Sequence, residues 1–373
     1  MKKSVSSLII KALQIRTLGL AASVPLVQAE EVLNFYNWSD YIAEDTIAKF
    51  EAETGIKVVY DVYDSNETLE AKLLAGNSGY DLVVPSAHFM EQQIKAGIFQ
   101  PLQKNKLSNL GNLDPSLMTL LDKKDPDNMY GVPYLWGTTG IGYNPEQVRA
   151  VLGDDAPADS WELVFNPENM KKLAECGVTF LDSPDEMYPL ALLYAGQSST
   201  DTTKASHKDD SPAANVLRNI RPYLRQFHSS QYVNDLANGD ICVAIGYSGD
   251  VFQAQARAEE AGKGVEISYS IPKQGTEIWF DMLLIPADAK HAENAHKFIN
   301  FLLRPEIIAE ITNYVWYANP NTASTDLVDP EITADTAIYP DAETRSRLYM
   351  PATLPANVAR VRSRTWSNIK TGN

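Results

Sequence analysis

Two short, nearly continuous apolar runs end abruptly at small or polar residues and give way to helical patterns, which narrows the choice of fold sharply. Residues 80–84 end at Pro85-Ser86, and residues 89–96 then take helical spacing. Residues 241–245 end at Gly246-Tyr247-Ser248-Gly249-Asp250, and residues 251–261 continue as a helix. Runs of this kind mark parallel strands buried on both faces, and such strands are joined by helical crossovers. The surrounding pattern agrees. Residues 32–35 alternate as a strand, 43–54 form a helix ended by Gly55, 56–62 alternate as a strand, and 67–75 form a helix stopped by Gly76. Further on, a strand over 178–181 runs into Asp182-Ser183-Pro184-Asp185-Glu186. Helices are predicted over 187–194, 213–227 (despite Pro222) and 232–237. Strands over 265–271 and 277–285 and helices over 292–303 and 305–312 follow. The fold class is α/β.

Residues 1–29 read as a secretory signal. Lys2, Lys3, Lys11 and Arg16 come without an acid, an apolar stretch covers 18–26, and Val27-Gln28-Ala29 supplies a small-residue cleavage pattern. The apolar part is too short to span a bilayer. Taking those 29 residues from 373 leaves 344, which exceeds one comfortable core, so two lobes are expected. The first is expected over 30–138 and 275–312, the second over 139–274 and 313–373. Residues 129–144, rich in Gly, Tyr and Trp, read as an extended strand passing between them. Tyr134 leans towards packing there, and Trp136 is left undecided between cleft and hinge.

Removing the four signal cations from the formal −16 leaves −20. That charge argues against nucleic acid or an anionic membrane as partner and favours cationic ligands through long-range attraction, although solubility alone also accounts for it. The two cysteines, Cys176 and Cys242, favour one disulfide in an exported chain. Two buried thiols or a metal site are the alternatives. Metal ranks last, because neither His207 nor His228 stands at ligand spacing to them.

Acids and aromatics recur where ligands bind in open α/β sheets, at strand C-termini. Tyr36-Asn37-Trp38-Ser39-Asp40-Tyr41 is such a place, with Ser39 or Asp40 positioned to cap the next helix. Ser86 falls on the same edge, where capping is its commoner role. Glu186, Tyr247 and Asp250 mark comparable edges in the second half, and Trp279-Phe280-Asp281 puts an acid inside an apolar strand. An unpaired buried carboxylate is costly, so Asp281 needs a cation or water. With Tyr317, these residues would meet in one cleft between lobes. Rings and carboxylates without a metal-type ligand set suit an elongated organic cation carrying two or more ammonium groups.

Long stretches then carry a resemblance to the periplasmic polyamine-binding proteins of ABC importers, most closely their putrescine-binding branch. They include YNWSDYIAEDTIAKFEAETGIKVVYDVYDSNETLEAKLLAG, YDLVVPS, GTTGIGYNP, ECGVTFLDSPDE, FHSSQYVNDLANGDICVAIGYSGDVFQA, WFDMLLIPADA and YANPN, so the resemblance runs from about Leu33 to the C-terminus. It implies a two-lobe, type II-like periplasmic binding fold with crossing strands, closing on a polyamine without chemistry. It also implies a monomer with neither cofactor nor metal, delivering ligand to an inner-membrane permease. Its ligand contacts fall on Trp38, Ser39, Asp40, Tyr41, Ser86, Glu186, Tyr247, Asp250, Trp279, Asp281 and Tyr317. In the family's pattern Asp250 and Asp281 hold terminal ammonium groups, Asp40 and Glu186 stand nearby, and the rings sandwich the methylene chain. The family's disulfide maps onto Cys176 and Cys242. Two positions depart from the pattern: Tyr247 stands where Trp is expected and Trp279 where Phe is common. Ser229 matches an HSS segment of the family but acquires no role.

Three rival readings come from other classes. A hydrolase using a carboxylate pair lacks any Ser-His-Asp order or metal motif. A ferric-iron carrier would use Tyr247 and Tyr317 as phenolates. A polyamine sensor would need the same cleft as an importer subunit, and the sequence does not separate the two.

Overall fold

The computed structural model describes residues 31–372, so the secretory signal read at 1–29 lies outside the described residues. Among these, nine strands are formed: β1 (Val32–Trp38), β2 (Lys57–Tyr63), β3 (Leu82–Val83), β4 (Gly131–Tyr143), β5 (Val178–Phe180), β6 (Gln226–Phe227), β7 (Val243–Tyr247), β8 (Ser268–Ser270) and β9 (Ile278–Leu284). They run in the order β2-β1-β3-β9-β4-β7-β5-β6, with β8 on β4. β1 lies parallel to β2 and β3, and β5 parallel to β6 and β7, so each apolar run sits in its own parallel group. Helices cover these strands, as parallel pairing requires.

β4 links the two groups. Residues 131–138 pair antiparallel with β9, and residues 139–143 pair antiparallel with β7. Buried apolar side chains accordingly form two clusters. One gathers Phe35, Phe50, Leu82, Leu135, Phe280 and Phe298. The other gathers Trp161, Val178, Phe180, Tyr232, Val243 and Ile245. These are the two lobes, with β4 and β9 running between the strand ends of both.

Residues beyond 312 divide between the lobes instead of joining the second as a block. Val315, Val328, Ile332 and Ile338 pack into the first cluster, whereas Trp366 and Ile369 of the helix Ala356–Thr371 pack into the second. The helix expected over 213–227 stops at Ile220, because Pro222 offers no N–H to continue it. Gln226–Phe227 instead adds an edge strand to β5. β1 runs to Trp38, which pairs in register with Tyr63, and the next helix begins only at Thr46. Neither Ser39 nor Asp40 therefore caps it. The Ser39 hydroxyl donates to the Tyr63 carbonyl at 3.2 Å, and Asp40 turns the chain at φ +53°.

Candidate functional site

All eleven residues singled out above line one cavity between the lobes, together with Tyr63, Asp64, Ser229, Ser230 and Val233. Asp281 enters from β9 and is 3% exposed. Its carboxylate accepts from Ser86 Oγ at 2.6 Å and from the Tyr41 hydroxyl at 2.9 Å. Ser86 begins the helix Ala87–Lys95 without capping it. Asn66 grips Ser86 through both its backbone N–H and its hydroxyl, which aims the hydroxyl proton at Asp281. The Ser86 oxygen accepts from the Asn66 amide while its proton goes to the buried carboxylate, so both hydrogen-bonding directions of the hydroxyl are used away from the helix N-terminus.

Asp250 enters from the second lobe, in the first turn of the helix Ser248–Ala261, where the N-terminal dipole favours an anion. It accepts from Tyr317 at 2.6 Å and from Tyr232 at 2.7 Å. Two glycines admit those rings. A Cβ at Gly246 would lie 2.4 Å from Tyr232, and one at Gly249 would lie 2.5 Å from Tyr317. Tyr232 was missed in the sequence, where it looks like an ordinary apolar position of the helix Gln231–Asn238; Gly246 was the available signal.

Each of these two acids thus has two hydroxyl donors and no Lys, Arg or His ion partner among the described residues. Burial pushes Asp281 up to about 7 against the pull of its Ser86 and Tyr41 hydrogen bonds. It pushes Asp250 up to about 6 against Tyr317 and Tyr232. Asp40 differs. It is half-exposed and accepts from Arg257 of the opposite lobe at 3.0 Å, so its charge is already answered. Glu186, in the first turn of the helix Pro184–Tyr194, accepts from the Thr139 hydroxyl at 2.8 Å, and burial raises it above the usual carboxylate range.

The rings form a continuous wall. Trp38 meets Tyr247 at 6.2 Å, Tyr247 meets Trp279 at 5.7 Å, Trp279 meets Tyr317 at 5.5 Å, and Tyr317 meets Tyr41 at 5.0 Å, all steeply inclined. Trp38 is fixed by donating its indole N–H to the Val84 carbonyl at 2.8 Å. Tyr134 packs behind the site and donates to the Tyr41 carbonyl. Trp136 turns to the opposite face of β4, against Phe280 and Tyr339. Ser229, which carried no role in the sequence, accepts from the Asp182 N–H ahead of the Glu186 helix. Cys176 and Cys242 are joined as a disulfide with Cα atoms 5.4 Å apart, tying together the segments that lead into β5 and β7.

This arrangement can hold positive charge at two desolvated points, one per lobe, with an aromatic wall between them. Known proteins resemble it closely. A family profile described as bacterial extracellular solute-binding protein matches residues 45–340. The putrescine-binding periplasmic protein PotF of Escherichia coli is 53% identical over 374 residues, covering 100% of this chain and 98% of its own. The putrescine-binding periplasmic protein SpuD of Pseudomonas aeruginosa is 55% identical over 355 residues, covering 95% and 96%. The crystal structure of the spermidine/putrescine ABC transporter substrate-binding protein PotD from Streptococcus pneumoniae superposes with a TM-score of 0.72 at 27% identity, over 92% of this chain and 99% of that one.

Proposed function

This chain belongs to the bacterial extracellular solute-binding proteins, and we propose that it captures a polyamine in the periplasm and delivers it to an ABC importer permease. Putrescine is the first candidate ligand and spermidine the second. The observation that carries this reading is the pair Asp281 and Asp250. They stand on opposite lobes, Asp281 buried and Asp250 half-buried, each held by two hydroxyl groups and without a Lys, Arg or His ion pair among the described residues. Ionised carboxylates in such surroundings are costly until paired, and a diammonium ligand pairs both at once. The two bacterial relatives, both putrescine-binding periplasmic proteins, support the same ligand class.

The geometry supports a division of roles. Asp281 with Ser86 and Tyr41 receives one terminal ammonium group, and Asp250 with Tyr232 and Tyr317 receives the other. Trp38, Tyr247 and Trp279 cover the methylene chain, recovering about 25 cal/mol per Å² of apolar area and adding a cation–π contribution. The Asp40–Arg257 pair joins the lobes and favours the closed cleft. The protein works as a monomer and makes or breaks no bond in its ligand. The iron-carrier alternative fits poorly, since burial beside carboxylates drives the Tyr317 and Tyr247 phenols well above their ordinary range, away from phenolate.

Calorimetric titration of the ligand-stripped protein with putrescine, cadaverine, spermidine and agmatine tests this reading. Heat of binding for at least one diamine is expected. No binding across the panel would overturn the proposal.

A further inference from the structure

Glu277 lies one residue before β9, is fully buried, and is not among the residues lining the cleft. Neither of its carboxyl oxygens receives a hydrogen bond from an N–H or hydroxyl group among the described residues. The Glu186 carboxyl group lies close enough that each acid shifts the other's titration, and two carboxyl groups so placed can hydrogen-bond only by sharing a proton. Thr139 stands beside both acids, but it has a single hydroxyl proton, and that goes to Glu186 Oε2 at 2.8 Å. Its backbone N–H meets the Glu277 carbonyl at 3.4 Å and helps hold Glu277 in place.

Two carboxylates in contact cannot both remain ionised in a dry interior. Burial and the neighbouring Glu186 charge drive Glu277 well above the carboxylate range, so Glu277 is the partner that keeps the proton. For Glu186, the hydrogen bond from Glu277 pulls back down against burial. The other groups facing the pair do not replace this donor. Asp185 on the same helix is already paired with Arg362, Tyr269 gives its proton to the Thr138 carbonyl, and among the described residues neither the Tyr247 nor the Tyr349 hydroxyl donates to either acid.

Of the acids lining the cleft, Asp281 and Asp250 serve the ligand's ends, Asp40 is taken by Arg257, and Asp64 is half-exposed. Glu186 is the buried acid left over. We propose that Glu277 is a positioning residue for ligand choice: as a neutral acid it donates its proton to Glu186 and, together with Thr139, keeps Glu186 ionised as a third anionic point, which favours a triamine relative to a diamine. The inference rests on the polyamine reading above.

The test titrates the parent protein, Glu277→Gln and Glu277→Met with putrescine and spermidine at about neutral pH and again about one unit lower. Gln retains an N–H donor and should leave both affinities within about threefold of the parent, whereas Met fills similar volume without a donor and should weaken spermidine at least about tenfold more than putrescine. In the Met variant spermidine binding should also fall more steeply with acidification, because Glu186 then takes up its proton at higher pH. A selective loss of spermidine in Glu277→Gln would mean that Glu277 is itself an anion, and would overturn the inference even if the Met variant failed to fold. A parent that binds neither ligand overturns the polyamine reading. A parent that binds both, with ratio and pH profile unchanged in Glu277→Met, overturns the role of Glu277 alone.

Discussion

Lowering the pH from about 8 to about 5 should weaken putrescine binding by about a thousandfold. Asp281 and Asp250 hold their protons up to about 7 and about 6, because burial penalises their ionised forms. An ammonium group pairs with carboxylate and not with carboxylic acid, so binding drives both protons off. Both groups bind a proton more tightly before the ligand arrives than after, and affinity therefore rises with pH. At about pH 5 the Asp281 proton costs about a hundredfold and the Asp250 proton about tenfold, whereas at about pH 8 neither matters. The product corresponds to about 4 kcal/mol. The ligand's own ammonium groups, with pKa near about 10, stay charged throughout. Calorimetry in two buffers of different ionisation enthalpy measures the protons directly, and at about pH 6.5 binding should release about one. An affinity constant across this range with no proton release would mean that both acids are ionised before ligand arrives. The argument from burial would then fail.

Asp281→Asn and Asp250→Asn should each weaken putrescine at least about tenfold, since each removes a charge-assisted bond in a desolvated cleft; unchanged titrations for both would show the ammonium positions to be misassigned. Gly249→Ala places a Cβ 2.5 Å from the Tyr317 ring, so the Tyr317–Asp250 hydrogen bond must break. Affinity in that variant should fall at least about tenfold, and parental affinity would refute the account of the glycine. Replacing Cys176 and Cys242 with Ala removes a crosslink closing 66 residues and should cost about 4 kcal/mol in denaturant unfolding; a midpoint equal to the parent's would refute it. Trp279→Phe should alter the putrescine-to-spermidine ratio more than the melting temperature, and a constant ratio with a steep thermal loss would make Trp279 a core residue.

Much of this molecule is written locally. The apolar runs before Ser86 and Gly246, and the helices that follow them, need only a few neighbouring residues to declare themselves, and hydrophobic periodicity records that directly. The recurrence of acids and rings at strand ends and in the crossing strand likewise exposed nine of the cavity residues, because the ends of parallel strands are a topological position legible from element order. A ligand role for Ser39 and Ser86 came only with the family resemblance. Other features depend on partners distant in the chain. Ser86 looked like a cap until Asn66 occupied its oxygen and Asp281, 195 residues away, took its proton. Asp40 lines the cavity as expected, but its pairing with Arg257 from the other lobe is visible only in the fold. Tyr232 and Glu277 carry no local mark at all, since a phenol on an apolar helix face and an acid at a strand's start are ordinary in sequence. Local residue pattern set which segments form strands and helices and which chemical groups end up at their edges. Which acid pairs with Arg257, and which acids meet only hydroxyl donors, follows from the fold. Those outcomes depend on burial and on contacts of a few ångströms between residues far apart in the chain.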